Sequence, residues 1–161
     1  MSLDDSQIRE LDKKDFLNKV LALANYISKQ ISAKSELIYG ESLYIYPSVI
    51  SAYIILKSQW GTHPMSLEKY DGKTVNNLTL LEQKDWSGQA VKFNNINYRV
   101  FKDWLSFATG WSDYIIFSGK FNSLFDANNL KGQIRSLSDM EDQPMLFYAK
   151  IETIIEFYRL I

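Results

Sequence analysis

The chain has 161 residues, with 18 Lys and Arg against 19 Asp and Glu, one histidine and no cysteine. That length holds a single domain with a substantial core, and the interspersed, balanced charge leaves no basic stripe for a nucleic-acid backbone. Without cysteine there are no disulfides or thiol nucleophiles. With His63 as the sole histidine neither a metal site nor a Ser-His-Asp triad is expected, so no metal and no cofactor is expected.

The opening residues MSLDDSQIRELDKKD are polar and acidic, unlike a signal peptide, and residues 1–13 read as an N-terminal tail before a domain at 14–161. From Asp15 to Ser32, apolar residues at Phe16, Val20, Leu23, Ile27 and Ile31 draw one face of an amphipathic helix, capped at Asp12 or Asp15. The period is lost over residues 33–46, which reads as a loop with a short extended piece. Pro47 then opens a second helix, expected to run to Trp60 with Gly61 past its end. On that helix Val49, Tyr53, Leu56 and Trp60 share one side, and Lys57 falls between Tyr53 and Ile50. A lysine in so apolar a sector implies a cleft.

Residues 62–89 read as irregular, with turns at YDGK and WSGQ and a helical turn near Ser66 to Tyr70. Val91 and Phe93, then Ile96, Tyr98 and Val100, alternate around Asn94-Asn95, the pattern of a small hairpin. Asp103 caps a helix predicted through Phe117 and stopped by Gly119; shorter helical pieces follow over 122–128 and 130–137. Pro144 starts a terminal helix with Phe147, Ile151, Ile154 and Tyr158 on one face. The fold class is α+β, mostly helical. No run of about 18 apolar residues occurs, so no membrane span is expected.

Four stretches, in order, resemble the bacterial peptidoglycan endo-β-N-acetylglucosaminidases, glycoside hydrolase family 73. YPSVISAYIILKSQWG is similar to their active-site helix, matching at Pro47, Ser48, Ala52, Leu56, Ser58, Trp60 and Gly61. NNL at Asn76 to Leu78, YRVFKDW at Tyr98 to Trp104 and FYAKIETIIEFY at Phe147 to Tyr158 are similar to three later motifs. The resemblance covers roughly residues 14–161. It implies a lysozyme-like body with a small β lobe and a glycan groove between them. It also implies peptidoglycan glycan strands as the partner and an extracellular or cell-wall location.

The departures fall on the chemistry. Lys57 occupies the family's catalytic Glu position, the glycines that follow the NNL motif in the family are missing, and no Asp or Glu lies between Gly88 and Tyr98, where the second carboxylate is expected. Glycoside hydrolysis needs a carboxylic acid to protonate the leaving oxygen and a carboxylate or substrate group opposite it. Lysine, with an ordinary pKa of about 10.4, is a far weaker acid at neutral pH than a tuned Glu, and its charge opposes the cation forming on the sugar.

Substitute acids are Glu82, Glu68 and Asp85, which read equally as solvated loop carboxylates. Glu82 stands where the family often has lysine, so a swapped Lys57–Glu82 ion pair is a further reading. The sugar-contact candidates are Trp60, Asn77, Trp86, Tyr98 and Tyr148, each against a plain packing role. Trp104 and Trp111 read as core and His63 as a loop residue. Three functions remain open: a glycan-binding or scaffolding cell-wall module with little or no hydrolysis, a divergent hydrolase using Glu82, Glu68 or Asp85, and a protein-interaction domain.

Overall fold

The computed structural model describes residues 5–160. Of the tail expected over residues 1–13, residues 1–4 lie outside the described residues, and helix begins at Asp5. Helix α1 (Asp5–Tyr39) starts before the predicted cap and runs through much of the predicted loop. The apolar period stops at Ile31 because the buried positions beyond it are polar. Ser28 and Ser32 donate through Oγ to the carbonyls of Ile45 (2.7 Å) and Leu43 (2.9 Å), and Ser35 Oγ accepts from the Leu43 amide (2.8 Å). Serines thus pin the returning segment, while Leu37, Ile38 and Tyr39 face out. Gly40, at φ +77°, ends the helix in the left-handed region that glycine enters without steric penalty.

Helix α2 (Pro47–Lys57) is the central element, buried continuously from Ser48 to Ile55 against α1 and the terminal helix. Fully buried Ile50, Ile54 and Ile55 each contribute about 1.5–3 kcal/mol of apolar burial. The helix ends three residues before the predicted Trp60, because Gln59, Trp60 and Gly61 all turn left-handed (φ 52°, 58° and 76°). A short 3₁₀ turn, Pro64–Ser66, precedes the place where a helical turn was predicted. The residues after it form a hairpin missed from sequence, β1 (Lys69–Tyr70) pairing with β2 (Lys73–Thr74) around Asp71-Gly72.

The predicted second hairpin is present as β3 (Ala90–Phe93) and β4 (Ile96–Arg99), in register Val91 to Tyr98. Asn94 and Asn95 both sit at positive φ (49° and 66°), the backbone a two-residue turn with right-handed strand twist requires. Met65, Val75, Val91 and Tyr98 form a small core of their own for this β lobe. Helix α3 (Trp104–Phe117) begins at Asp103, whose carboxylate accepts from the Ser106 amide at 2.7 Å. That hydrogen bond holds the Asp103 carboxyl below its usual range.

Helices α4 (Asn122–Asp126), α5 (Leu130–Ser138) and α6 (Pro144–Phe157) complete the body, in α+β, mostly helical architecture. Buried Gln133 fastens α5 to the segment before α2, donating to the Tyr44 carbonyl (2.8 Å) and accepting from the Tyr46 amide (3.0 Å). Among the described residues no helix is long and apolar enough to cross a membrane.

Candidate functional site

A groove of about 630 Å3 runs between the helical body and the β lobe. Tyr53 and Lys57 of α2 form part of its floor, with Trp111 and Tyr114 of α3 beside them. The segment Thr79 to Glu82 and Arg99 of β4 supply the lobe side, and Met140, Glu141 and Asp142, from the turn between α5 and α6, close the remaining edge. Lys57 stands on the last turn of α2, where a cation meets the negative end of the helix dipole. The apolar sector predicted around it is this groove wall.

Lys57 does not pair with Glu82. Its Nζ lies 3.2 Å from each carboxylate oxygen of Glu141, with the two side chains 22% and 19% exposed. The swapped pair fails because the turn after α5 folds back over the end of α2 and reaches the ammonium first. Tyr53 also donates to Glu141 Oε1, at 3.4 Å. Burial, then the Glu141 charge and that hydrogen bond, pushes the Tyr53 phenol far up, so it stays a donor throughout the physiological range.

Glu82 shares the groove with Lys57, and its backbone bridges to Tyr98. Burial raises the Tyr98 phenol, and the Glu82 charge raises it further. Asp85 lies in an adjoining cavity of about 510 Å3 with Trp86, Arg99 and Tyr114. Glu68 borders a different cleft, with Phe16 and Trp104, and is not brought to Lys57. The hairpin at β3 and β4 carries no carboxylate.

Among the aromatic candidates, Trp86 borders the adjoining cavity, tilted against Phe101. Trp60 packs edge-on against Tyr158, with the Lys13 ammonium over its ring, and does not line the groove. Tyr98 is buried in the lobe core, and Tyr148 lines a separate hollow with Pro144 and Met145. Asn77 is fully buried: Nδ2 donates to the carbonyls of Leu81 (2.9 Å) and Arg99 (2.8 Å), and Oδ1 accepts from the Leu81 amide (2.8 Å). It shapes the lobe edge of the groove from behind. Trp111 lies in the core as predicted, stacked on Tyr53, while Trp104 is half-buried, edge-on to Phe16. His63 caps the 3₁₀ turn through Nδ1, which accepts from the Met65 amide at 3.1 Å.

Sequence reasoning missed Glu141, Arg99 and Thr79. Glu141 stands in an acidic MED run just before the Pro144 helix start, with no periodicity to tie it to α2. Thr79 is 4% exposed, and its Oγ1 is the one buried side-chain polar atom without a hydrogen-bond partner among the described residues. Burial lowers Arg99, partly offset by Tyr114 and Asp85. The arrangement thus offers a fixed cation–carboxylate pair on the floor with the Tyr53 and Tyr114 hydroxyls beside it, while the unpartnered Thr79 hydroxyl is buried behind the wall. That suits hydrogen bonding to a hydroxyl-rich ligand better than it suits proton transfer.

No family model matches the chain, and no curated protein matches it in sequence. Solved structures do. The catalytic domain of the autolysin Auto from Listeria monocytogenes superposes with a TM-score of 0.67 at 16% identity, covering 99% of this chain and 97% of that one. The glycoside hydrolase domain of FlgJ from Salmonella typhimurium gives 0.65 at 15%, covering 92% and 99%. A mutant peptidoglycan hydrolase from Sphingomonas sp. A1 gives 0.66 at 14%, covering 91% and 94%. The chain has the fold of these domains, glucosaminidase-like and lysozyme-like, as its motifs suggest.

Proposed function

We propose that the chain is a glycan-binding module acting at the bacterial cell wall, with peptidoglycan strands in its groove and little or no hydrolysis. The observation that carries this reading is the Lys57–Glu141 pair. At the position that the motif resemblance aligns with the family's catalytic acid, this chain has an ammonium held 3.2 Å from a carboxylate. A general acid must direct its proton at the leaving oxygen, and here the ammonium is directed at Glu141 instead. The carboxylate-free hairpin removes the second group that glycoside hydrolysis requires. The groove, open between body and lobe, supports retained binding.

One observation favours a second reading, a divergent hydrolase. Glu82 borders the same groove, and no salt bridge engages it among the described residues. Purified peptidoglycan separates the two. Co-sedimentation without release of new reducing ends from pH 4 to 9 is the expected result. Release that Glu82→Gln abolishes would establish the second reading, and neither binding nor release would leave the groove to a protein partner.

A further inference from the structure

Arg99 is the buried cation of the lobe, 8% exposed, and no carboxylate lies within salt-bridge distance of it among the described residues. Buried arginines are otherwise nearly always ion-paired. Its Nε donates to the Glu82 carbonyl (2.9 Å) and its Nη2 to the Lys84 carbonyl (3.1 Å). The guanidinium lies 5.3 Å from the Trp86 ring centre and 5.2 Å from that of Tyr114. These contacts fix its plane without neutralising it. A guanidinium has five N–H groups, and here one edge is used, while Nη1 and the second proton of Nη2 have no acceptor among the described residues.

That free edge belongs to a residue bordering both the groove and the adjoining cavity. Lys84 and Lys120 border both as well. Lys120 Nζ lies 5.7 Å from the same Tyr114 ring and donates to its hydroxyl at 3.4 Å. Three cations therefore gather at the junction of the two hollows. Of the cavity's acids, Asp113 is taken by Lys34 at 2.5 Å, and Asp85 is exposed, influencing Arg99 without pairing to it.

We propose that Arg99, flanked by Lys84 and Lys120, is a carboxylate-binding subsite at the end of the groove, so that the groove selects an acidic glycan over a neutral one. The proposal rests on the glycan reading above. The unused edge presents two parallel N–H donors to a planar carboxylate, the bidentate geometry that point-charge lysines do not reproduce. The half-buried Trp86 borders the same cavity and backs the guanidinium.

The test is calorimetric titration of the whole chain with two tetrasaccharides of alternating N-acetylglucosamine and N-acetylmuramic acid. One has free lactyl carboxylates, the other their methyl esters. The acid form is expected to bind about tenfold tighter at low salt, with the advantage shrinking as salt rises. Replacing the exposed Lys84 and Lys120 together by Ala should cut that preference to under about threefold. Arg99→Lys should remove most of it. Equal binding of both forms overturns the subsite and leaves the glycan reading standing, whereas binding of neither overturns both. A preference that survives all three substitutions overturns the assignment to these residues.

Discussion

Lys57 reaches Glu141, 84 residues further along the chain, with Nζ 3.2 Å from both carboxylate oxygens. Both side chains are about four-fifths buried, so the pair is screened less than a surface bridge, and removing one partner strands the other. A double-mutant cycle with Lys57→Met and Glu141→Gln should give a coupling of about 1–2 kcal/mol in urea unfolding. Glu141→Gln alone should cost about 2 kcal/mol, since Tyr53 also loses its charged acceptor. Glu82→Gln should stay within about 0.5 kcal/mol of the parent. A large cost there, with a silent Glu141, would contradict the observed pairing.

Lys57→Glu tests whether the acid alone is missing. The substitution would set two carboxylates side by side, costing about 1–2 kcal/mol at neutral pH through like-charge repulsion. Release of reducing ends from peptidoglycan should remain at background, because the hairpin still lacks its carboxylate. Robust lysis by this single variant would show that the lost acid was the only defect.

Asn77 connects the lobe to the groove through three short hydrogen bonds, one to the carbonyl of Arg99. Asn77→Ala would leave the buried Leu81 amide and the Arg99 carbonyl without their partner, while the Leu81 carbonyl keeps the Arg99 amide at 2.9 Å, at about 2–4 kcal/mol. The unfolding midpoint should fall accordingly, and Arg99 should lose part of its fixed position. A midpoint within error of the parent would mean that water replaces the amide.

Gly61 combines two constraints. Its φ is +76°, and a Cβ there would lie 2.5 Å from Cε2 of the Phe16 ring. Gly61→Ala therefore adds backbone strain to a contact that only a moved ring can relieve, for about 1–3 kcal/mol. Pairing it with Phe16→Leu should recover part of the loss in the same unfolding assay if the ring is the obstacle.

Periodicity located the elements whose buried faces are apolar: α2, α3, α6 and the β3–β4 hairpin. It failed where burial is polar. The extension of α1 beyond Ser32 rests on Ser28, Ser32 and Ser35, which carry hydrogen bonds rather than hydrophobic signal. The two-residue strands β1 and β2 are too short for alternation to register. At the site, Lys57 was legible because it breaks both an apolar sector and a motif. Glu141 was not, since its partner is fixed by how the turn between α5 and α6 packs, a long-range contact. Arg99 sits within a recognised motif, yet the absence of a carboxylate beside it exists only in three dimensions.

His63 supplies the pH dependence that can be assigned without ambiguity, because it is the only histidine. Its Nδ1 accepts from the Met65 amide, and its ring packs edge-on against Phe93. Burial, followed by the Lys57 charge, lowers its pKa below the ordinary 6.5. The unfolded chain then binds the proton more readily than the folded one, so protonation favours unfolding. This contribution to stability is full above the unfolded pKa and is lost as pH falls from there through the lowered folded value. His63→Asn keeps a cap acceptor without a titrating ring and should flatten stability between about pH 7.5 and 5. The single imidazole resonance in a proton NMR titration gives the folded pKa directly. A value above 6.5 would place the ring beside a negative charge instead, and would reverse the sign of the effect.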